Sequence, residues 1–272
     1  AYASERASMD QYSLFHLRRS PRHSKPGPPH MVKKTLPTVL LAPVALLILA
    51  VTPAARGDDG LGPEAPATEW FDVPWSGGNV RVALVPPADG TSGPHPVLFA
   101  LPWGGGTEDL VSSFIGRYWA TRPARRGYYV VAPAVLGSSL DDTADELIPA
   151  IFEWMDAELD YDPTKVALVG ASNGGRGMFH AALAEPDRFA TLLGLPGRYD
   201  GDAGALSVLV GKPVWLIVGE FDTGWREASE ATVGALESQG VQTRLDVAAN
   251  QGHVMDLGVQ LLLDGLDEAI RR

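Results

Sequence analysis

The chain has 272 residues, 45% of them hydrophobic, with 22 Lys/Arg, 33 Asp/Glu and no cysteine. That is enough apolar material for one sizeable core, and the absence of cysteine excludes disulfides, thiolate metal sites and lipid attachment at cysteine. Residues 1–57 carry eight Lys/Arg and two Asp/Glu, so the formal net charge of −11 becomes −17 over residues 58–272, an acidic body that excludes nucleic acid and anionic membranes as expected partners.

In chain order, residues 1–30 begin without methionine and are rich in Arg, Ser, Pro and His. They read as a non-native upstream extension, with Met31 as the true start. Arg18-Arg19 lies too far from the following apolar run to serve as a twin-arginine export signal. Met31-Val32-Lys33-Lys34 is basic, Leu36 to Val51 is almost wholly apolar, and small residues follow to Gly57. This is the three-part layout of a secretory signal over 31–57, cleaved after Ala54 or after Gly57. The competing reading, an uncleaved anchor, is disfavoured because the run contains Pro37 and Pro43 and is shorter than the roughly 20 residues a bilayer span requires. The expectation is a secreted or periplasmic protein with no stable membrane association once the signal is removed. Residues 58–68, rich in Gly, Pro and acid, read as a linker to a catalytic domain over 69–272.

Within that domain, Trp70 to Val73 and Val80 to Val85 flank Ser76-Gly77-Gly78 as a hairpin. Pro96 to Leu101 is a buried-strand run that ends in Pro102-Trp103-Gly104-Gly105-Gly106. The pattern predicts a helix over 108–122, a strand over 127–135 and a helix over 141–159, where Leu147, Ile148, Ile151, Phe152 and Met155 recur at helical spacing. Val166 to Gly170 is a strand, and Asn173 to Glu185 a helix stopped by Pro186. Strands over 190–195, 214–219 and 243–248 and helices over 225–238 and 254–270 complete the chain. Continuous apolar strands alternating with helices predict a mostly parallel central sheet with helices on both faces. Ligands bind such sheets at the carboxyl ends of the strands.

That rule sorts the candidate residues. Gly170-Ala171-Ser172-Asn173-Gly174, between an aliphatic strand and a helix, is a G-x-S-x-G turn that presents the serine hydroxyl above the sheet. Gly170 and Gly174 give neighbouring backbone the room that the turn needs. The alternative is a glycine-rich turn with an idle serine.

A serine hydroxyl becomes a nucleophile when a base takes its proton. His16, His23 and His30 precede the mature chain. His95 lies at the wrong end of its strand. His180 is eight residues into the helix, about 12 Å along its axis. His253 remains, in the loop after the last strand. The carboxylate that orients it is expected from Glu220-Phe221-Asp222, where a buried strand ends. Asp222 is the choice and Glu220 the nearest rival; Asp200 and Asp202 are outside candidates. The oxyanion hole is expected to combine the Asn173 N–H with an N–H of Gly104 or Gly105.

Together these residues resemble the α/β-hydrolase superfamily. The order Ser172…Asp222…His253, the glycine loop and the histidine before the last helix are similar to that family over roughly residues 69–270. The chain looks most like small secreted bacterial esterases related to carboxylesterases, dienelactone hydrolases and polyhydroxybutyrate-depolymerase-like enzymes. It departs from many members at Trp103-Gly104, where they carry His-Gly, which suggests that the Trp103 indole walls the pocket. The resemblance implies the α/β-hydrolase fold and an acyl-enzyme ester hydrolase that needs no metal or organic cofactor and acts on a small-molecule or polymeric ester.

Lipid-specific members insert a helical lid after the strand that follows the elbow helix. Here Pro196 to Pro213 is short and polar, so no large lid is expected, and Trp103 and Trp225 are expected to line an open cleft for short-chain or bulky exposed esters. A peptidase or acyltransferase with the same triad, or an inactive binding module, are the competing readings.

Overall fold

The computed structural model describes residues 67–88 and 90–271, all within the unit Leu46–Arg272. The upstream extension, the signal segment and most of the linker expected from the sequence lie outside the described residues.

The hairpin forms as β1 (Glu69–Trp75) and β2 (Gly78–Val85), paired antiparallel with Trp75 opposite Gly78. Five further strands follow the apolar runs: β3 (His95–Leu101), β4 (Tyr129–Pro133), β5 (Tyr161–Gly170), β6 (Thr191–Gly194) and β7 (Val214–Gly219). β8 (Thr243–Ala248) closes the far edge. The sheet order is β1-β2-β4-β3-β5-β6-β7-β8. β2 pairs antiparallel with β1 and β4, and every other pairing is parallel.

Strands β3, β4, β6 and β7 and residues 166–170 of β5 are largely apolar because both faces are covered, whereas β1 and β8 at the sheet edges carry exposed polar residues. Along β3, Val97, Phe99 and Leu101 enter one core layer while Leu98 and Ala100 enter the other, all fully buried. This is the period-two alternation of a strand with no solvent face. On the first face lie α3 (Leu140–Glu158), α4 (Asn173–Ala184) and α5 (Thr223–Ser238). On the second lie α1 (Glu108–Phe114), the short α2 (Arg122–Arg125) and α6 (Val259–Ala269). Between β6 and β7 the chain forms only a 3₁₀ segment, Ala203–Leu209. No large lid is inserted there.

Three segments differ most from the sequence expectation, one of them β5, which begins at Tyr161 rather than Val166. The helix expected over 108–122 is broken: α1 passes into a π-helical turn, Ile115–Trp119, which ends at Ala120 with φ of 47°. The wider turn brings Ile115, Tyr118 and Trp119 to the core together. Pro123 then sits in the first turn of the separate helix α2, where its missing N–H is harmless. The last helix begins at Val259 rather than Val254, so residues 249–258 form a loop. Val254 is exposed, whereas Met255 and Leu257 are buried. That alternation is extended rather than helical.

Candidate active site

Ser172 stands between β5 and α4 with φ 55° and ψ −116°. For a residue with a Cβ this is a sparsely populated conformation, costing on the order of 1–3 kcal/mol, and it persists only where the surroundings enforce it. The Ser172 N–H donates to the Pro196 carbonyl at 3.0 Å, and the Ser172 carbonyl accepts from the Arg176 N–H at 2.9 Å. Gly174 is required for packing, because a Cβ there would lie 2.2 Å from the Leu101 carbonyl oxygen. The serine occupies the N-cap position of α4 without capping it. Its hydroxyl is directed elsewhere.

The hydroxyl meets His253. Nε2 of the imidazole lies 2.8 Å from Ser172 Oγ, and Nδ1 lies 2.6 Å from Asp222 Oδ2. Asp222 is largely shielded, its side chain 14% exposed against 39% for His253. The Trp225 ring packs on His253 at 5.4 Å between centroids, and the Arg198 guanidinium lies 5.0 Å from the Trp225 ring.

The rival acids are engaged elsewhere. Glu220 accepts the Asn250 N–H at 2.8 Å. Asp200 pairs with Arg198 at 3.0 Å, and Asp202 caps Gly204 at 3.1 Å. Of the other histidines, His180 lies 3.1 Å from Asp141, and His95 contacts the Gly127 carbonyl at 2.9 Å.

Ser172 and His253 open into a cavity of about 270 Å³, walled by Trp103, Gly104, Tyr118, Ala171, Leu195 and Val254. Gly104 therefore reaches the serine, with Gly105 next in the same turn. The Asn173 side chain donates to the Gly104 carbonyl at 3.0 Å and ties the elbow to the glycine loop. Within the first turn of α4, the Gly174 N–H donates to the Ala171 carbonyl at 2.8 Å and the Arg176 N–H to the Ser172 carbonyl at 2.9 Å, and the positive end of the helix dipole lies beside the serine. Trp103 packs edge-on against Phe114 and Tyr118, at 5.4 and 5.9 Å between centroids. Trp225 reaches the site over His253 rather than as part of this wall.

Tyr118, Leu195 and Val254 were not singled out by the sequence. Leu195 follows the end of β6, where the strand-end rule would have found it. Tyr118 had no comparable signal, because its position depends on the π-helical turn. Among the described residues no cluster of His, Asp and Glu is placed to hold a metal ion.

A strained serine at a strand–helix turn, a histidine between it and an acid, and a mostly parallel eight-stranded sheet define a hydrolase of the α/β-hydrolase fold. Residues 120–271 match the Esterase family, and the chain belongs to it. No curated protein matches the sequence.

Among solved structures, a thermostable esterase is similar at 20% identity and a TM-score of 0.60, over 74% of this chain and 62% of that one. Dipeptidyl peptidase 4 of Porphyromonas gingivalis is similar at 15% identity and a TM-score of 0.59, over 77% of this chain and 36% of that one. The chain thus spans less than two thirds of either protein. A dienelactone hydrolase-like promiscuous phosphotriesterase from metagenomic libraries is similar at 16% identity and a TM-score of 0.58, over 75% of this chain and 99% of that one. At these identities the likeness is one of fold.

Proposed function

We propose that the protein hydrolyses carboxylic esters through an acyl-enzyme on Ser172, with His253 as general base and Asp222 as its orienting carboxylate. One observation carries the reading: His253 spans Ser172 Oγ and Asp222 Oδ2 at 2.8 and 2.6 Å, both within proton-transfer reach. In the neutral imidazole held by Asp222, Nδ1 carries the proton and Nε2 accepts that of the serine. The alkoxide attacks the ester carbonyl, and the tetrahedral oxygen takes hydrogen bonds from the Asn173 N–H and from a main-chain N–H of the Gly104–Gly105 turn. The imidazolium then protonates the departing alcohol. Water repeats the sequence on the acyl-enzyme and restores Ser172.

The substrate class follows from the cavity. At about 270 Å³ it lies at the lower edge of the roughly 300–1,000 Å³ of drug-sized pockets, and the β6–β7 connection supplies no cover. The acyl group is therefore short, or the ester is bulky and stays outside. We also propose that the mature protein is exported, as the segment 31–57 suggests. N-terminal sequencing of the product from a bacterial host tests this, and an N-terminus retained at Met31 would argue for an anchor.

A fluorophosphonate probe tests the nucleophile directly. Covalent label on Ser172, with turnover of p-nitrophenyl esters and none of peptide anilides, is the expected result. Label elsewhere, or peptide anilide turnover alone, would overturn the ester reading.

A further inference from the structure

The loop that carries His253 contains neither helix nor strand from residue 249 to residue 258, yet it must hold an imidazole within a few tenths of an ångström. It is gripped on both sides of the histidine. Two residues before it, the Gln251 carbonyl accepts the Phe221 N–H at 2.8 Å, which ties that arm to the neighbour of Asp222. Two residues after it, Met255 is fully buried, and its carbonyl accepts from Arg117 Nη2 at 3.1 Å.

Arg117 lies in the π-helical turn Ile115–Trp119. Its neighbour Tyr118 walls the cavity beside Ser172 and His253. Burial pushes the Tyr118 phenol up, against hydrogen bonding with the Met255 main chain and with Arg117 that favours ionisation. The turn ends at Ala120 with φ of 47°, in the left-handed region that favours glycine. Such irregular turns recur at functional sites and persist where surrounding contacts over-determine them. A regular helix, with one residue fewer in the turn, would rotate the side chains beyond it by about 100°. Tyr118 and the arm to Met255 could not then both be kept.

We propose that Arg117 is a positioning residue for His253: through the Met255 carbonyl, the π-helical turn fixes the second arm of the histidine loop. One element thereby walls the acyl pocket, through Tyr118, and sets the imidazole against Ser172 and Asp222, through Arg117. The proposal rests on the ester-hydrolase reading of the site, and its test separates the two.

The experiment uses the full chain with ¹⁵N-labelled histidine. The ring ¹⁵N shifts of His253, assigned by their loss in His253→Asn, report how the proton divides between Nδ1 and Nε2. Rates on p-nitrophenyl butyrate are measured alongside.

In the wild type the neutral ring is expected to be protonated at Nδ1. Arg117→Met is expected to give a mixture of tautomers and to lower kcat roughly tenfold or more. KM should stay within about twofold, and Tm within about 3 °C. Arg117→Lys, which keeps a donor, should recover part of kcat. Arg117→Leu, which also removes the donor, offers the same comparison if the methionine variant does not fold.

Unchanged ring shifts and kcat in Arg117→Met, a rise in KM alone, or a loss of kcat that only tracks unfolding would each overturn the proposal. If the wild type hydrolyses no ester, the ring shifts alone decide. A tautomer mixture in Arg117→Met then upholds the positioning role while the ester-hydrolase reading falls, and an unchanged ring overturns both.

Discussion

The main chain at Gly219 passes so close to Gly252 that a Cβ at 219 would lie 2.1 Å from the Gly252 carbonyl oxygen. Gly219 closes β7 just before Asp222, and Gly252 immediately precedes His253. The acid and the base are thus brought within hydrogen-bond reach by a backbone crossing that tolerates no side chain. Gly219→Ala must push the two segments apart, and overpacking of this kind costs about 1–3 kcal/mol. The expected outcome is a Tm lowered by several degrees together with a loss of kcat larger than any change in KM. Thermal unfolding and steady-state kinetics on one preparation check it. A variant with lowered Tm but full kcat would show that the crossing does not set the His253–Asp222 distance.

Under the proposed mechanism, removing the Ser172 hydroxyl or the His253 imidazole should abolish ester turnover without disturbing the fold. Ser172→Ala and His253→Ala are each expected to lower ester hydrolysis by on the order of 10⁴- to 10⁶-fold. His180→Ala, which breaks contacts with Asp141 and with the Tyr199 ring away from Ser172, should keep most activity. Ser172→Ala retaining a tenth of wild-type rate, or His180→Ala losing what His253→Ala keeps, would refute these assignments.

Chain-length preference follows from the small cavity and the short β6–β7 connection. Each buried methylene contributes about 0.8 kcal/mol only where there is a groove to bury it. Beyond Trp103, Tyr118, Leu195 and Val254 the cavity provides no such length. p-Nitrophenyl butyrate should therefore be hydrolysed faster than the palmitate ester, with no jump in rate when substrate droplets form. Rates measured below and above the solubility limit decide the matter.

Alkaline stability should depend on the phenols that the fold raises, Tyr128 and Tyr161 above all. The fold raises the Tyr128 hydroxyl well above the ordinary phenol range, first through burial and then through its hydrogen bond to Asp267. Tyr161 is raised likewise by burial and by its bond to Asp156. Below about pH 10, the ordinary phenol value, both are protonated in the folded and the unfolded chain, and their contribution is fully present. Above it the unfolded phenols ionise while the folded ones stay protonated, so stability falls as pH rises. Tyr128→Phe should cost about 1 kcal/mol at neutral pH yet flatten the decline above about pH 10. Denaturant titrations across that range measure both effects. An unchanged slope would show that Tyr128 ionises alike in both states.

The elbow was legible in the sequence because its chemistry is local: an aliphatic strand, a serine between small residues and a helix lie within one short stretch, and the strand–turn–helix geometry needs nothing distant. Alternation of apolar runs likewise gave the layered sheet, since buried strands and amphipathic helices impose different periods on the chain. The acid beside His253 was not decided in this way. Glu220 and Asp222 leave the same strand end two residues apart, and only the crossing at Gly219 and Gly252 turns one toward the imidazole and the other toward the Asn250 N–H. The π-helical turn was equally hidden, because residues 108–122 have the composition of an ordinary helix. It is the burial of Tyr118 and Trp119 and the reach of Arg117 to Met255 that favour one extra residue in the turn. Contacts between segments 138 residues apart leave no trace in local spacing, so the place of Tyr118 in the pocket wall and the hold on the histidine loop were decided by the tertiary structure alone.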